Sequence, residues 1–271
     1  MILKAIFSDI DGTLLNSSYQ ITHETKKAIS KVVNDDIPFI LVSARMPSGI
    51  LHLQQTLSIN SPIICYSGAL ILGLDNDNSE RTIIDSISLL KADVQEIYKI
   101  VNELYSSVDF SLYSYNQWIV SDNESKWVLQ EKEIAGVSPI LCPLSSFIED
   151  NHDIHKCLCM GEPQIINLIE IELKAKFPDL SIYKSKDTYL EIMSGNASKS
   201  NAIKKLERLY DITSQEVLAF GDNFNDIDML KYAGLGVAMG NAPDEVKIIA
   251  DEVTLSNDED GLKYTLNKYF K

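Results

Sequence analysis

Two aspartates two residues apart, Asp9 and Asp11, follow an apolar run (Ile2, Leu3, Ala5, Ile6, Phe7) and precede Gly12-Thr13. In extended backbone, residues i and i+2 point to the same side, so the two carboxylates would stand together where a strand ends. Two like charges that close call for a cation between them or a proton on one of them. On this stretch alone a metal-binding acid/base pair and a plain strand with an Asp-Gly turn are both open. Further polar groups recur along the chain: Ser43 with Arg45, Ser67-Gly68, Lys199, and Asp222 with Asn225 and Asp226.

The elements that would carry these groups have an α/β rhythm. After the opening strand, residues 22–34 place Ala28, Ile29, Val32 and Val33 at helical spacing behind the start signals Thr22 and Glu24. The continuous apolar run at 37–42 reads as a fully buried strand, 47–57 as a helix, and 62–66 as a third strand. Next, 69–74 and 81–85 read as a hairpin turning at 75–78. Residues 86–187 mix helices (91–104, 163–177) with short strands (110–114, 117–121, 155–160, 181–183), the pattern of an α+β insert with an antiparallel sheet.

The α/β rhythm is expected to resume at Tyr189. Ser198 would cap a helix with the stripe Ala202, Ile203, Leu206, Leu209 and Tyr210. Strands at 216–220 and 235–239 follow, with a short helix from Asn225 between them, and Asn241-Ala242-Pro243-Asp244-Glu245 reads as the start of another helix. The expected class is therefore α/β, a Rossmann-like parallel-sheet core with an inserted α+β cap. The core would comprise residues 1–84 and 188–271, the insert 85–187.

Composition narrows the partners. The chain has 271 residues, 45% of them hydrophobic and 23% charged, which suits compact folding. Its formal net charge of −15 argues against nucleic acid or an anionic membrane surface. No apolar run reaches the length of a membrane span and residues 1–7 lack the features of a signal peptide, so the expected location is the cytoplasm, with monomer or weak homo-oligomer as the expected state. The four cysteines, Cys65, Cys142, Cys157 and Cys159, suit reduced thiols better than a disulfide framework.

In an open parallel sheet, ligands bind beyond the carboxyl ends of the strands, where the polar groups listed above would converge. A lysine in the first turn of a helix adds a full charge to the free N–H groups and the positive dipole end, a combination suited to phosphate. Asp9, Asp11, Asp222 and Asp226 would gather up to four negative charges near one Lys199, and a phosphate monoester adds about two more. A hard divalent cation resolves that excess, and several carboxylates without a His/Cys set favour Mg²⁺ over Zn²⁺.

Asp9-Ile10-Asp11-Gly12-Thr13, Ser43, Lys199 and Gly221-Asp222-Asn223-Phe224-Asn225-Asp226 resemble the four motifs of the haloacid dehalogenase (HAD) superfamily. The runs GDNFNDIDML, AGLGVAMGNAPDEVK and TLSNDEDG are similar to Cof-type hydrolases, subfamily IIB, with a C2B cap between the second and third motifs. That resemblance implies a Mg²⁺-dependent phosphatase acting on small phosphorylated metabolites such as sugar phosphates. Asp9 would be the nucleophile that becomes an aspartyl phosphate, and Asp11 the acid and then base. Mg²⁺ would be held by Asp9, Asp11 through its backbone carbonyl, and Asp222. Ile10, Ser43, Ala44, Lys199 and Asn225 would contact phosphate or substrate, while Thr13 and Asp226 would orient the metal's ligands. Ser67 stands where the family usually has asparagine and Ser200 where it usually has glycine; neither change removes a catalytic group.

Other patterns carry less. Gly234 to Gly240 does not open a helix after a strand as a dinucleotide loop must, so it reads as strand and turn. His152, His155, Cys157 and Cys159 fit no zinc spacing and read as a half-buried strand. Tyr113, Tyr115, Trp118 and Trp127 read first as packing. Two other functions compete with the hydrolase. A phosphomutase would need an arginine-built dock for a second phosphate, yet residues 84–187 contain no arginine and 17 Asp plus Glu against 9 Lys. A non-catalytic phosphate or metal sensor is disfavoured because every catalytic position is filled.

Overall fold

A computed structural model describes residues 2–75 and 81–270. The chain forms two compact units, one of residues up to Ala44, Ile50–Asp85 and from Ser198 onward, the other of Arg45–Gly49 and Ser86–Ala197. The first segment contains β1 (Ala5–Ser8), α1 (His23–Asn34), β2 (Phe39–Val42), α2 (Ser48–Leu57), β3 (Ile63–Cys65), β4 (Leu70–Asp75) and β5 (Arg81–Ser86). There follow α3 (Lys91–Leu104), β6 (Asp109–Ser114), β7 (Gln117–Val120), α4 (Lys126–Ala135), β8 (Ile140–Leu141), α5 (Leu144–Glu149), β9 (Lys156–Met160), α6 (Pro163–Lys176), β10 (Leu180–Lys186) and β11 (Tyr189–Ser194). The chain closes with α7 (Lys199–Tyr210), β12 (Val217–Gly221), α8 (Ile227–Tyr232), β13 (Leu235–Ala238), α9 (Asp244–Lys247), β14 (Glu252–Val253) and α10 (Gly261–Tyr269).

The first unit is built on an eight-stranded sheet in the order β14-β13-β12-β1-β2-β3-β4-β5. From β14 to β3 every pairing is parallel, and β4 runs antiparallel to β3. β1, β2, β12 and β13 are buried along their whole length and apolar apart from Ser8, as parallel strands covered on both faces must be. Ala202, Ile203 and Leu206 of α7 and Met229 and Leu230 of α8 pack with Phe7, Ile40, Val42 and Ala219 of the strands. α1 starts where Thr22 accepts the Thr25 N–H at 3.1 Å, and it buries Ala28, Ile29 and Val32. Because β12, β1, β2 and β3 are parallel neighbours, their carboxyl ends share one edge of the sheet.

The second unit has a six-stranded sheet ordered β10-β11-β9-β6-β7-β8, antiparallel except between β7 and β8. Phe110, Leu112, Ile119, Cys157, Cys159, Leu190 and Ile192 pack with Val94, Ile97 and Val101 of α3 and Ile166, Ile169 and Leu173 of α6. Alternate strand positions carry Tyr113, Trp118, Lys156 and Glu191, with Lys156 Nζ 3.4 Å from Glu191 Oε2.

Several details differ from the sequence-based expectation. Tyr189 does not reopen the core: β11 pairs with β10 and with β9 through Tyr189↔Met160 to Ile192↔Cys157, so it belongs to the second unit. An apolar strand of that length suits either sheet, and only its non-local partners decide between them. β9 is buried at all five positions rather than half-buried. Helices α4, α5 and α10 escaped the periodicity reading. The expected turn at 75–78 lies, from Asn76 on, outside the described residues.

Candidate active site

Lys199 is the first residue of α7, fixed there because Ser198 accepts the Asn201 N–H at 3.1 Å as N-cap. Its ammonium lies 2.5 Å from Asp9 Oδ1, just past β1, and 2.5 Å from Asp226 Oδ1, in the turn between β12 and α8. The side chains of Lys199 and Asp226 are fully buried and that of Asp9 is 9% exposed. Burial alone would lower the ammonium's pKa, but Asp226 and Asp9 outweigh it and hold it above the usual lysine value. Asp226 Oδ2 in turn accepts the N–H groups of Asp222 and Asn223, each at 3.0 Å, so both of its oxygens are engaged.

Asp222 follows β12 and accepts a hydrogen bond from Thr13 Oγ1 at 2.8 Å through Oδ1. The turn carrying Thr13 can come this close because residue 12 is glycine: with φ +81°, a Cβ there would lie 2.3 Å from Asp222 Oδ2. Asp9, Asp222 and Asp226 each offer a carboxylate oxygen within 4.8 Å of the others. Burial pushes the Asp9 carboxyl well above its ordinary pKa, Lys199 opposing while Asp226 and Asp222 add to it. Asp222 is pushed up to about 7 by burial and by Asp226, against Thr13 and Lys199. Such crowded hard oxygen donors fit a divalent cation, which would restore both groups to the ionised form. With Asp226 occupied by Lys199 and two backbone donors, Asp9 and Asp222 are the better placed to ligate.

Of the remaining expected residues, all but Arg45 lie in the first unit. Asp11 is exposed in the turn after β1, outside the carboxylate trio. Ile10 is fully buried, and its carbonyl accepts the N–H groups of Leu14 and Leu15 at 3.0 and 2.9 Å. Ser43 is buried past β2; its N–H donates to Ile64 O and its carbonyl accepts from Ser67 N, both at 2.9 Å. Ala44, next in the chain, and Asn225, in the turn Phe224–Asp226, are half-buried. Arg45, grouped with Ser43 in the sequence, instead donates to Gly49 O at 3.2 Å. Tyr66 (φ 50°), Ser67 (φ 52°) and Gly68 (φ 106°) form a left-handed run, and a Cβ on Gly68 would meet Ser198 O at 2.3 Å. The end of β3 thus touches the N-cap of the lysine-bearing helix.

Three residues make contacts at the site that the sequence did not reveal. Asn241 read as a helix-start residue, yet α9 is N-capped at Pro243 and the Asn241 amide instead donates to Gly12 O at 2.9 Å. Asn257 donates through Nδ2 to Leu15 O at 2.9 Å. Asp228 Oδ2 accepts the Ser200 N–H at 2.8 Å, tying α8 to the first turn of α7. The strand-end rule that selected Asp222 applies equally past β13 and β14 and could have found both asparagines.

The competing clusters are occupied structurally. Cys157 and Cys159 lie in the core of the second unit, and His152 stacks on Phe147 at 4.1 Å. His155 lies 3.0 Å from Ser86 Oγ through Nε2 and accepts the Tyr115 N–H through Nδ1 at 3.2 Å. Tyr113 stacks on Trp118 at 6.1 Å, and Lys126 lies over the Trp127 ring at 4.4 Å. Among the described residues, no helix is long and apolar enough to cross a membrane.

A largely parallel sheet interrupted by an α+β unit, with three carboxylates and a buried lysine past its strand ends, defines the class as a Rossmann-like α/β core. The sequence matches the haloacid dehalogenase-like hydrolases over residues 6–266, and the chain belongs to that family. A Haemophilus influenzae protein provisionally named a phosphatase is 40% identical over 270 residues, covering 100% of this chain and 99% of its own. Bacillus subtilis YitU, named a 5-amino-6-(5-phospho-D-ribitylamino)uracil phosphatase, is 28% identical over 275 residues, 97% of this chain and 96% of its own. The crystal structure of a haloacid dehalogenase-like hydrolase from Bacteroides thetaiotaomicron matches with a TM-score of 0.87 at 27% identity, over 99% of this chain and 100% of that one. A solved HAD subclass IIB sugar phosphatase shares the fold, with a TM-score of 0.83 at 23% identity over 98% of each chain.

Proposed function

We propose that this protein is a Mg²⁺-dependent phosphatase that hydrolyses small phosphate monoesters, sugar phosphates or similar metabolites, through an aspartyl phosphate on Asp9. The observation that carries this reading is the buried Asp9–Lys199–Asp226 triad, with Asp222 beside it, at the edge where parallel strands end. Lys199 holds Asp9 in place and presents a permanent positive charge to the transferring phosphoryl group, together with the Ser43 hydroxyl and the backbone around Ile10 and Ala44. A carboxylate oxygen of Asp9 forms the new bond to phosphorus while the ester P–O bond breaks, and the departing oxygen takes the proton of the Asp11 carboxyl. Asp11, now ionised, removes a proton from the water that attacks the phosphoryl group, which frees Asp9 and inorganic phosphate.

Mg²⁺ held by Asp9, Asp222 and the Asp11 carbonyl would supply charge neutralisation at the phosphoryl oxygens. Thr13 and Asp226 keep Asp222 and the Asp222-Asn223 backbone in position for that role. Asn225 lies in the same turn and is assigned the contact to the substrate phosphate. The names of the relatives support a phosphomonoester substrate, and that of YitU points to a ribityl phosphate as one member of a useful panel. The test is hydrolysis of p-nitrophenyl phosphate and of sugar and polyol phosphates with Mg²⁺ or EDTA. Asp9→Asn should lower the rate at least ~10³-fold and EDTA should suppress the wild type; activity that survives both would overturn the proposal.

A further inference from the structure

The turn that follows β1 is held from outside by two asparagine side chains acting in series. Asn241, past β13, donates from Nδ2 to the Gly12 carbonyl at 2.9 Å. Its Oδ1 accepts the backbone N–H of Asn257 at 3.0 Å, and Asn257 Nδ2 donates to the Leu15 carbonyl at 2.9 Å. The turn's own hydrogen bonds run inward, from the N–H groups of Thr13, Leu14 and Leu15 to the Ile10 carbonyl. Its outward carbonyls at 12 and 15 are therefore the ones that the asparagines take.

This clamp bears on Asp11. Asp11 is exposed, and the course of its turn's backbone sets where its carboxyl can reach. The next residue is a glycine at φ +81°, the position in the turn with the widest conformational freedom, and Asn241 grips that residue's carbonyl. Leu15, at the far end of the clamp, forms a bridge back to Asp11. Thr13, between the two gripped carbonyls, reaches Asp222.

We propose that Asn241 and Asn257 are positioning residues that hold Asp11 where its carboxyl can protonate the departing oxygen; this rests on the phosphatase reading above. Loss of the clamp then has a signature that general loosening of the site lacks. A nitrophenolate leaves with little help, whereas an alkoxide needs its proton as the P–O bond breaks. The relevant quantity is kcat/KM, which reports the chemistry up to departure of the alcohol.

The experiment compares p-nitrophenyl phosphate with an alkyl phosphate such as glycerol 3-phosphate or a hexose 6-phosphate, using the full chain with Mg²⁺. Asn241→Ala, isosteric Asn241→Asp, and Asn257→Ala should each lower kcat/KM for the alkyl ester about 10- to 100-fold and for the aryl ester less than about 3-fold. In an Asp11→Asn background, Asn241→Ala should add less than a further 2-fold or so, because the group it positions is already gone. Circular dichroism and thermal unfolding verify folding; Asn241 is exposed, so its replacement leaves the core intact. Equal losses on both esters, or a loss that multiplies with Asp11→Asn, would overturn the clamp while leaving the phosphatase reading standing. A wild type inert towards both esters would overturn that reading and the clamp's role with it.

Discussion

Replacing Lys199 with methionine is the sharpest perturbation of the site, because it removes the one cation between two buried carboxylates while keeping the apolar stem. The ammonium lies 2.5 Å from each of Asp9 and Asp226. At an effective dielectric of about 20, each contact corresponds to roughly 7 kcal/mol of attraction before desolvation offsets most of it. Removing one partner of such a buried pair typically costs about 3–5 kcal/mol, since the other charge remains stranded. Asp9, whose carboxyl burial already pushes up against the pull of Lys199, can escape by taking up a proton, so its pKa in the folded variant lies above that in the unfolded chain. A carboxyl raised on folding contributes most at low pH and loses that contribution as pH rises through the folded value. Urea unfolding with a chelator present should therefore show Lys199→Met destabilised by about 3–5 kcal/mol near pH 8 and by much less near pH 5. A loss below about 1 kcal/mol, or one of equal size at both pH values, would refute the electrostatic account of the triad.

Two further outcomes follow from particular residues. Ser67 occupies a left-handed conformation (φ 52°, ψ 29°), so Ser67→Gly should be tolerated while Ser67→Val, β-branched in that region, should cost about 2 kcal/mol by urea unfolding; similar stabilities for the two would contradict the assigned backbone. Burial lowers His155 from 6.5 to about 4, partly countered by Asp153, and a proton on Nδ1 would face the Tyr115 N–H. Its contribution to stability is fully present above pH 6.5 and falls away as pH drops towards 4, by about 3 kcal/mol in all. The difference in unfolding free energy between wild type and His155→Gln should therefore change through that window, and parallel curves would exclude the effect.

Composition and local pattern determined a good deal. The motif aspartates, the lysine opening α7 and the apolar strands were legible because each depends on neighbours in the chain: a two-residue alternation, a cap one position before a helix, a strand bounded by a turn. That four strand ends would converge also followed, since consecutive βα units force parallel neighbours. Other outcomes depended on pairings between distant segments. Whether Tyr189–Ser194 joined one sheet or the other was set by its register with Met160 and Lys186, which no local pattern encodes. The division of labour among the carboxylates was also tertiary: Asp226 became a partner of Lys199 and of two backbone N–H groups, whereas Asp222 turned its oxygen to Thr13. In the sequence, Asn241 reads as a helix start and Asn257 only as part of a family-like run, with nothing local to show what their amides bind. Only the fold brings their amides, more than two hundred residues downstream, to the turn that carries Asp11, because a hydrogen bond selects its partner by distance in space, not along the chain.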